Sequence, residues 1–299
     1  ADNLKVPFIV ILQEDNDSVF VQFQNNKFEL KKDKWSDWQE VSFRPGAFKK
    51  IKGILKFYLV EVQPEFKLYI SPINFDPRNP LFPIAYPKSY SRELADNIGL
   101  YHTQGMPMDT WAVNENRLSE EVLLEQANVV LEERKRILDF ELKRFNKGIL
   151  FCYFGLTDTI QHMFWRYMDS DHPVYEENAP QEYKETIKIW YKKMDNVLGD
   201  VMKSLDEKDT LIVLSDHGFD TFRRAAHINA WLRKNGYLEL KNPYTESGAE
   251  LLKDIDWLKT RAYAIGFGAI YINQQNRERD GIVKPGQETE LLKKEIDGE

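Results

Sequence analysis

Two stretches of the sequence place a carboxylate and an imidazole directly after a short apolar run. Asp158 and His162 follow the apolar residues 151–154, and Asp216 and His217 follow the apolar residues 211–214. Carboxylate oxygen and imidazole nitrogen together are ligands that suit zinc, with manganese or iron as alternatives, and they argue against a calcium site. The sequence therefore predicts a metal site built from two Asp-His pairs.

The spacing within each pair predicts how the side chains are presented. Asp158 and His162 are four residues apart, and residues 159–167 are typical of the beginning of a helix, so both side chains should lie on one helical face. Asp216 and His217 are adjacent and would point apart on a regular helix or strand. We therefore predict an irregular turn, for which Gly218 would supply backbone freedom.

The elements that position these pairs are predicted from the apolar runs themselves. Four or five consecutive apolar residues bounded by polar ones are typical of a buried strand in an α/β sheet. In open α/β sheets, functional groups collect just beyond the carboxyl ends of the strands. Two ions held there could contact the attacking and leaving oxygens of a phosphoryl displacement.

Each pair also has a simpler interpretation. An Asp-x-x-x-His spacing on a helix is common by chance and is more often a surface ion pair, and an Asp-His dipeptide is weaker evidence still. The same arrangement occurs twice in a chain that holds five histidines, and this repeat makes the metal site as plausible as the simpler interpretation. His227 lies in the apolar pattern of a packing helix and is predicted to be structural. His102 and His172 lie in polar, loop-like stretches without a ligand partner at a characteristic spacing.

Composition limits the class of protein. The chain has 299 residues and a net charge of -7, which suits a soluble protein and argues against a general nucleic-acid binder. The single Cys152 excludes an intramolecular disulfide framework. No run is apolar for long enough to span a membrane, and no signal-peptide pattern opens the sequence. The compartment is left open.

The chain divides into a β-rich part and an α/β part. Residues 1–88 are rich in β-branched and aromatic residues that alternate with polar ones, and the proline-dense residues 74–90 mark a boundary. Within the first part, Trp35 and Trp38 flank a turn and either stack on a ligand or plug a sheet edge, and the plug is favoured. Residues 89–299 are predicted to be the metal-binding α/β core, with long helices at residues 119–145 and 183–205.

Three segments, DTIQHMFWRYMD, LIVLSDHGF and INAWLRKNGYL, occur in this order. From about Tyr90 onwards the chain resembles the alkaline phosphatase superfamily, and within it the type I phosphodiesterase / nucleotide pyrophosphatase family. The resemblance implies an α/β fold, with an alkaline-phosphatase-like core of a mostly parallel sheet flanked by helices and an N-terminal β-rich accessory subdomain. It assigns one zinc to Asp158 and His162 and a second zinc to Asp216 and His217, with manganese as the alternative.

The function implied by the resemblance is metal-dependent hydrolysis of phosphodiester or nucleotide pyrophosphate bonds. The substrate would be a small phosphate ester or a nucleotide, attacked by a Thr or Ser nucleophile that forms a covalent intermediate. No segment here matches the family's nucleophile segment, so the nucleophile is expected upstream of residue 1, and no histidine follows His227 to match the family's last ligand. We therefore expect an internal fragment of a longer enzyme that is inactive alone.

Rival functions follow from the same residues. Sulfatases of the superfamily use a Cys-x-Pro-x-Arg nucleophile, which the residues after Cys152 exclude. A phosphomutase of the superfamily would share the four predicted ligands. A third hypothesis is a non-catalytic interaction module in which these side chains are vestigial.

Overall fold

The computed structural model describes residues 4–24, 26–45, 50–245, 252–266 and 268–298. The chain separates into two compact units, Ala1–Thr221 and Phe222–Glu299. No helix in these ranges is both long enough and apolar enough to cross a membrane.

The first unit opens with short antiparallel sheets. The central strand of the first sheet turns one face to the core. Val19, Val21 and Phe23 are buried there, whereas Gln22, between Val21 and Phe23, is exposed. The strands pair in the orders β1-β2-β3, β4-β5-β8 and β6-β7. Their bounds are β1 Phe8–Leu12, β2 Ser18–Phe23, β3 Asn26–Lys31, β4 Gln39–Phe43, β5 Ile51–Leu55, β6 Phe57–Glu61, β7 Lys67–Ile70 and β8 Asn74–Phe75.

Helices make up the rest of the first unit. They bury apolar faces against one another, and the rings of Phe164, Tyr167 and Tyr183 meet where α4 and α5 pack. A single 3₁₀ turn, Trp165–Tyr167, extends α4. The helices are α1 Tyr90–Ile98, α2 Thr110–Asn114, α3 Glu120–Arg144, α4 Leu156–Phe164 and α5 Gln181–Lys203.

The second unit has its own small core, centred on Leu232, Tyr237 and Val283. It contains α6 Ile228–Lys234, the antiparallel strands β9 Ala262–Ile265 and β10 Ala269–Ile272, and α7 Gln287–Asp297. The apolar stripe predicted around Trp231 is confirmed, since Leu232 is buried and Ile228 and Trp231 pack against the same core.

The sheet arrangement differs from the predicted one. Every pairing between named strands is antiparallel, and a mostly parallel core is not seen among the described residues. The prediction of buried strands at residues 151–154 and 211–214 is wrong for this structure, because both stretches lie outside the sheets. Ile212 and Val213 are 72% and 71% exposed. An apolar run forms a buried strand only where neighbouring strands pair with it, and no described segment does so here.

The first of these two stretches nevertheless keeps the alternation of a strand. Leu150, Cys152 and Phe154 pack against the helical core, whereas Phe151 and Tyr153 point outward and are 73% and 64% exposed. Successive side chains of this segment therefore point to opposite sides, as in a strand, even without a pairing partner.

Candidate metal centre

Helix α4 positions the first predicted pair. Leu156, Ile160 and Phe164 are fully buried against the helical core, so the opposite face of the helix is turned to solvent. Asp158 and His162 lie on that open face, with His162 Nε2 3.5 Å from Asp158 Oδ1. The i,i+4 spacing thus brings the two side chains together as predicted.

An irregular loop carries the second pair and brings it to the first. His217 Nε2 lies 3.7 Å from Asp216 Oδ2 and also 3.7 Å from Asp158 Oδ1. Ser215 Oγ donates to the His217 carbonyl at 2.6 Å, which holds this turn. Asp158 is therefore close to both imidazoles, a convergence that sequence spacing could not give.

The hydrogen bond on the other ring nitrogen of His217 defines its tautomer. His217 Nδ1 lies 2.7 Å from the Gly218 carbonyl oxygen, which can only accept, so Nδ1 carries a proton. In the neutral ring, Nε2 then has its lone pair available on the side facing the carboxylates. The Gly218 carbonyl, followed by the charges of Asp216 and Asp158, raises the pKa of His217.

Phe219 connects the loop to α4. Its ring packs edge-on against the His162 ring, with centroids 4.7 Å apart, and stacks on Trp165 with centroids 5.3 Å apart. Sequence analysis did not identify Phe219 as part of the site. Two features of the sequence could have identified Phe219. It directly follows the Asp-His-Gly turn, and an aromatic residue, Trp165, lies three positions after His162.

Gly218 does not have the role predicted for it. Its backbone is outside the left-handed region in which glycine is favoured, and a Cβ added there would meet open space. The prediction that the turn needs the freedom of Gly218 is therefore wrong. The residue contributes its carbonyl oxygen, which any amino acid could supply.

Comparison with known proteins gives the family. The family model described as type I phosphodiesterase / nucleotide pyrophosphatase matches residues 20–298. The chain belongs to this family. The match begins well before Tyr90 and so includes most of the β-rich region. Among curated proteins and among solved structures, the two searches found no match.

Membership of the type I phosphodiesterase / nucleotide pyrophosphatase family implies a general class of activity. The family consists of phosphoric ester hydrolases that act on small phosphate esters and nucleotides, and it is generally metal-dependent. The geometry of the candidate centre can therefore be compared with that of a metal site.

The donor types of the centre fit a metal, but the geometry is incomplete. Two ligands of a tetrahedral zinc with bonds of about 2.0–2.1 Å lie roughly 3.3 Å apart, close to the 3.5 Å and 3.7 Å that separate Asp158 Oδ1 from the two imidazoles. Within the described ranges, however, no group of three or more His, Cys, Asp or Glu side chains could hold a metal ion. The assignment of Asp158, His162, Asp216 and His217 as ligands stays a prediction.

Two hydroxyl groups beside the ligands are already engaged. Thr159 Oγ1 donates to the Gly155 carbonyl at 3.4 Å, within the helix, and Ser215 Oγ donates to the carbonyl of His217. Both donate to backbone oxygen rather than to an imidazole that could activate them. Neither arrangement is that of an activated nucleophile.

The remaining histidines occupy other environments. His102 pairs with Glu133, with Nδ1 2.7 Å from Oε2. His172 Nδ1 accepts from the Val174 backbone N–H at 3.3 Å. His227 occupies the N-cap position of α6 in the second unit and makes no side-chain capping bond.

Proposed function

We propose that this chain carries metal ligands of a hydrolase that cleaves phosphodiester or nucleotide pyrophosphate bonds. The observation that supports the proposal most is the convergence of two Asp-His pairs from separate parts of the chain. Asp158 Oδ1 lies 3.5 Å from His162 Nε2 and 3.7 Å from His217 Nε2. Family membership supports the same reaction class.

The proposed ligand assignment follows the two pairs. Asp158 and His162 would hold one ion, and Asp216 and His217 the other, with zinc as the metal and manganese as the alternative. When bound, such ions supply positive charge for the attacking and leaving oxygens of a phosphoryl group. The chain's own contribution is orientation, because the Gly218 carbonyl fixes the His217 ring and Phe219 packs beside the His162 ring.

The finer fold assignment is also a proposal. We infer that the catalytically competent enzyme has an alkaline-phosphatase-like core, a mostly parallel sheet flanked by helices. Support comes from family membership and from the apolar side chains of Ile212 and Val213, which are exposed here and would be buried in such a core. Fully burying an aliphatic side chain such as Ile212 contributes about 1.5–3 kcal/mol, which would favour that burial.

The division of the chain into two domains is also a proposal. We propose that residues 1–88, which hold strands β1 to β8, form an accessory subdomain that shapes access of the substrate. Residues 89–299 would form the metal-binding core.

The isolated chain is proposed to have little activity. The hydroxyl groups of Thr159 and Ser215 donate to backbone carbonyls, so neither is placed to act as the covalent nucleophile. The assay is hydrolysis of a chromogenic phosphodiester with zinc or manganese added. Clear turnover that is abolished by Asp216→Asn would contradict this part of the proposal.

The deciding experiment for the centre is metal content. Bound zinc and manganese per chain are measured by elemental analysis after dialysis, for the chain and for an Asp158→Ala, Asp216→Ala double variant. A double variant at Asp195 and Asp200 on α5 serves as the matched control. We expect the chain and the control to retain the same small amount of metal, because each ion would have only two protein ligands, and the site variant to retain less. Equal retention by all three proteins would refute the ligand assignment.

A non-catalytic interaction module is the second candidate. It is favoured by one observation, namely that no group of three or more His, Cys, Asp or Glu side chains among the described residues could hold a metal ion. In that case the chain and the Asp158→Ala, Asp216→Ala double variant would both lose all metal on dialysis. The phosphomutase alternative would instead show transfer of the phosphoryl group in product analysis.

A further inference from the structure

The first sheet of the chain ends in a strand that is open on its outer side. In the order β1-β2-β3, strand β1 pairs with β2, and no other strand in the described ranges pairs with it. Four of its five side chains are exposed although the strand is entirely apolar, namely Phe8, Ile9, Ile11 and Leu12. The strand therefore has both an unpaired edge and apolar side chains that are free to contact another molecule.

The hydrogen bonds of β2 determine which of its residues face β1. The Lys32 backbone N–H donates to the Asp17 carbonyl at 2.7 Å, and these two residues continue the register in which Ser18 lies opposite Lys31. In an antiparallel pair, residues that exchange hydrogen bonds with one neighbour alternate with residues whose N–H and C=O point the other way. The odd-numbered residues of β2 therefore bond to β3, and the even-numbered residues bond to β1.

The same rule gives the direction of the backbone groups in β1. Gln13 lies opposite Ser18, and its backbone N–H donates to the Ser18 carbonyl at 3.4 Å. The odd-numbered residues of β1 therefore bond to β2, and the even-numbered residues direct their N–H and C=O groups to the open edge. The even-numbered residues of the strand are Phe8, Val10 and Leu12.

The open edge lacks the features that normally keep edge strands apart. Such edges are usually interrupted by charged residues, by proline or by a bulge. No charged residue occurs between Lys5 and Glu14, and the register of β1 with β2 is regular throughout. Pro7 lies at an odd-numbered position, so the N–H that it lacks belongs to the side that faces β2. The donors and acceptors of the open edge are thus available to another strand.

The strand at the other end of the same sheet shows the contrast. On β3, the exposed side chains of Lys27, Glu29 and Lys31 are charged. The register places Ile9 and Ile11 on the same face of the sheet as these charges, because side chains directly opposite each other share a face. That face therefore changes from charged on β3 to aliphatic on β1.

The two ends of β1 have opposite charges. The start of the strand adjoins a concave surface whose lining includes Lys5, Arg44 and Lys50 and no acidic residue. The loop after the strand, residues 13–17, carries three carboxylates and no cation. Parallel pairing of two such strands would bring like charges together, whereas antiparallel pairing places the acidic loop of each strand near the cationic start of the other. The charges therefore favour a second β1 strand, in antiparallel orientation, as the occupant of the edge.

We propose that β1 pairs antiparallel with β1 of a second copy of this chain, about a two-fold axis at Val10. Val10 is the middle residue of the strand and directs its N–H and C=O outward, so the two Val10 residues can exchange both hydrogen bonds. This register places Ile9 opposite Ile11 of the second copy, and the position of Lys5 opposite that of Asp15. The two three-stranded sheets then form one continuous sheet. The interface uses none of the four candidate metal ligands, so its test is independent of the proposed hydrolase function.

The first test is the association state of the whole chain. Sedimentation equilibrium is measured across about 1–500 µM, because an interface of this small size binds weakly. We expect a reversible equilibrium between monomer and dimer. A chain that stays monomeric over this range overturns the proposal and leaves the edge to a different occupant, such as an extended segment of another protein.

Amide hydrogen exchange identifies the edge that is used. At concentrations that favour the dimer, the outward amides of Phe8, Val10 and Leu12 should exchange at least about tenfold more slowly than in dilute solution. The amides of Ile9 and Ile11 bond to β2 in both states and should change less. A dimer in which the outward amides gain no protection would refute pairing through β1.

Variants test the register of the pairing. The double variant Ile9→Lys, Ile11→Lys places like charges opposite each other and should weaken the dimer at least about tenfold, and both side chains are exposed in the monomer. In Ile9→Glu, Ile11→Lys, opposite charges face each other, so this variant should dimerise at least about tenfold more tightly than the first. The matched control is Ile149→Lys, Met202→Lys, which adds the same charge at exposed apolar residues outside the sheets. Its dissociation constant should stay within about threefold of that of the unmodified chain.

Two results of the variants would overturn the proposal. The first is an equal loss of affinity in the β1 variant with two lysines and in the control, which would indicate a general effect of charge. The second is equal affinity for the two β1 variants, which would exclude the Val10-centred antiparallel register.

Discussion

A histidine faces a carboxylate in two regions of the first unit, and the two pairs differ in what they leave available. His102 and Glu133 lie 2.7 Å apart, with side chains 13% and 5% exposed. His162 and Asp158 lie 3.5 Å apart, with side chains 60% and 40% exposed. The buried pair is closed, because each group satisfies the other, whereas the open pair keeps its nitrogen and oxygen atoms accessible. The same two residue types thus serve structure in one region and a candidate metal site in the other.

The largest effect that tests the difference between the two pairs is the loss of zinc affinity expected when Asp158 is substituted. Because Asp158 Oδ1 is near both imidazoles, Asp158→Ala should reduce zinc affinity more than Asp216→Ala, by about tenfold or more. Its free energy of unfolding should change by no more than about 0.5 kcal/mol, since the side chain is open to solvent. Zinc titration and urea unfolding measure the two quantities. Equal affinities for the two variants would show that the position of Asp158 near both imidazoles does not contribute to zinc binding.

The opposite pattern is expected for the buried pair. Glu133→Gln replaces a buried carboxylate that accepts two hydrogen bonds from His102, and should destabilise the protein by about 1–3 kcal/mol without changing zinc affinity. Glu132→Gln is the matched control, because the neighbouring side chain on α3 is 58% exposed. The contrast fails if the two variants unfold at the same urea concentration.

Sequence analysis anticipated the helices better than the sheets. Residues 119–145 and 183–205 were predicted as helices, and α3 and α5 occupy Glu120–Arg144 and Gln181–Lys203. Their periodic apolar positions bury against each other within one part of the chain, so the sequence pattern contains the necessary information.

The features that the sequence did not predict correctly have a common physical cause. An apolar run such as residues 211–214 reports that a segment can be buried, but not which segment pairs with it. The His102–Glu133 pair joins residues 31 positions apart, so no local spacing predicts it. The spacing of Asp158 and His162 predicted that they meet, whereas the approach of His217 to Asp158 needed the fold.

A smaller effect is expected for a substitution of Phe219. Its ring connects the loop that carries Asp216 and His217 to the helical segment that carries His162 and Trp165. Phe219→Ala removes the ring contacts with His162 and Trp165, each worth roughly 0.5–1.5 kcal/mol. If part of that energy orders the loop, zinc affinity should fall about three- to tenfold. Phe219→Tyr should keep the affinity, and Phe222→Ala, at an exposed phenylalanine, controls for loss of a ring. An unchanged zinc affinity in Phe219→Ala would show that Phe219 does not orient the site.

The smallest effect is expected at Gly218, in the turn of the open region. Its backbone lies outside the left-handed region and a Cβ there meets open space, so alanine fits without strain. The carbonyl that accepts from His217 Nδ1 is also retained in Gly218→Ala. Zinc affinity should therefore stay within about twofold, and the unfolding free energy should be unchanged or raised by up to about 1 kcal/mol, because alanine reduces the entropy of the unfolded chain. A large loss of either quantity would mean that the turn adopts a different, glycine-dependent backbone when metal binds.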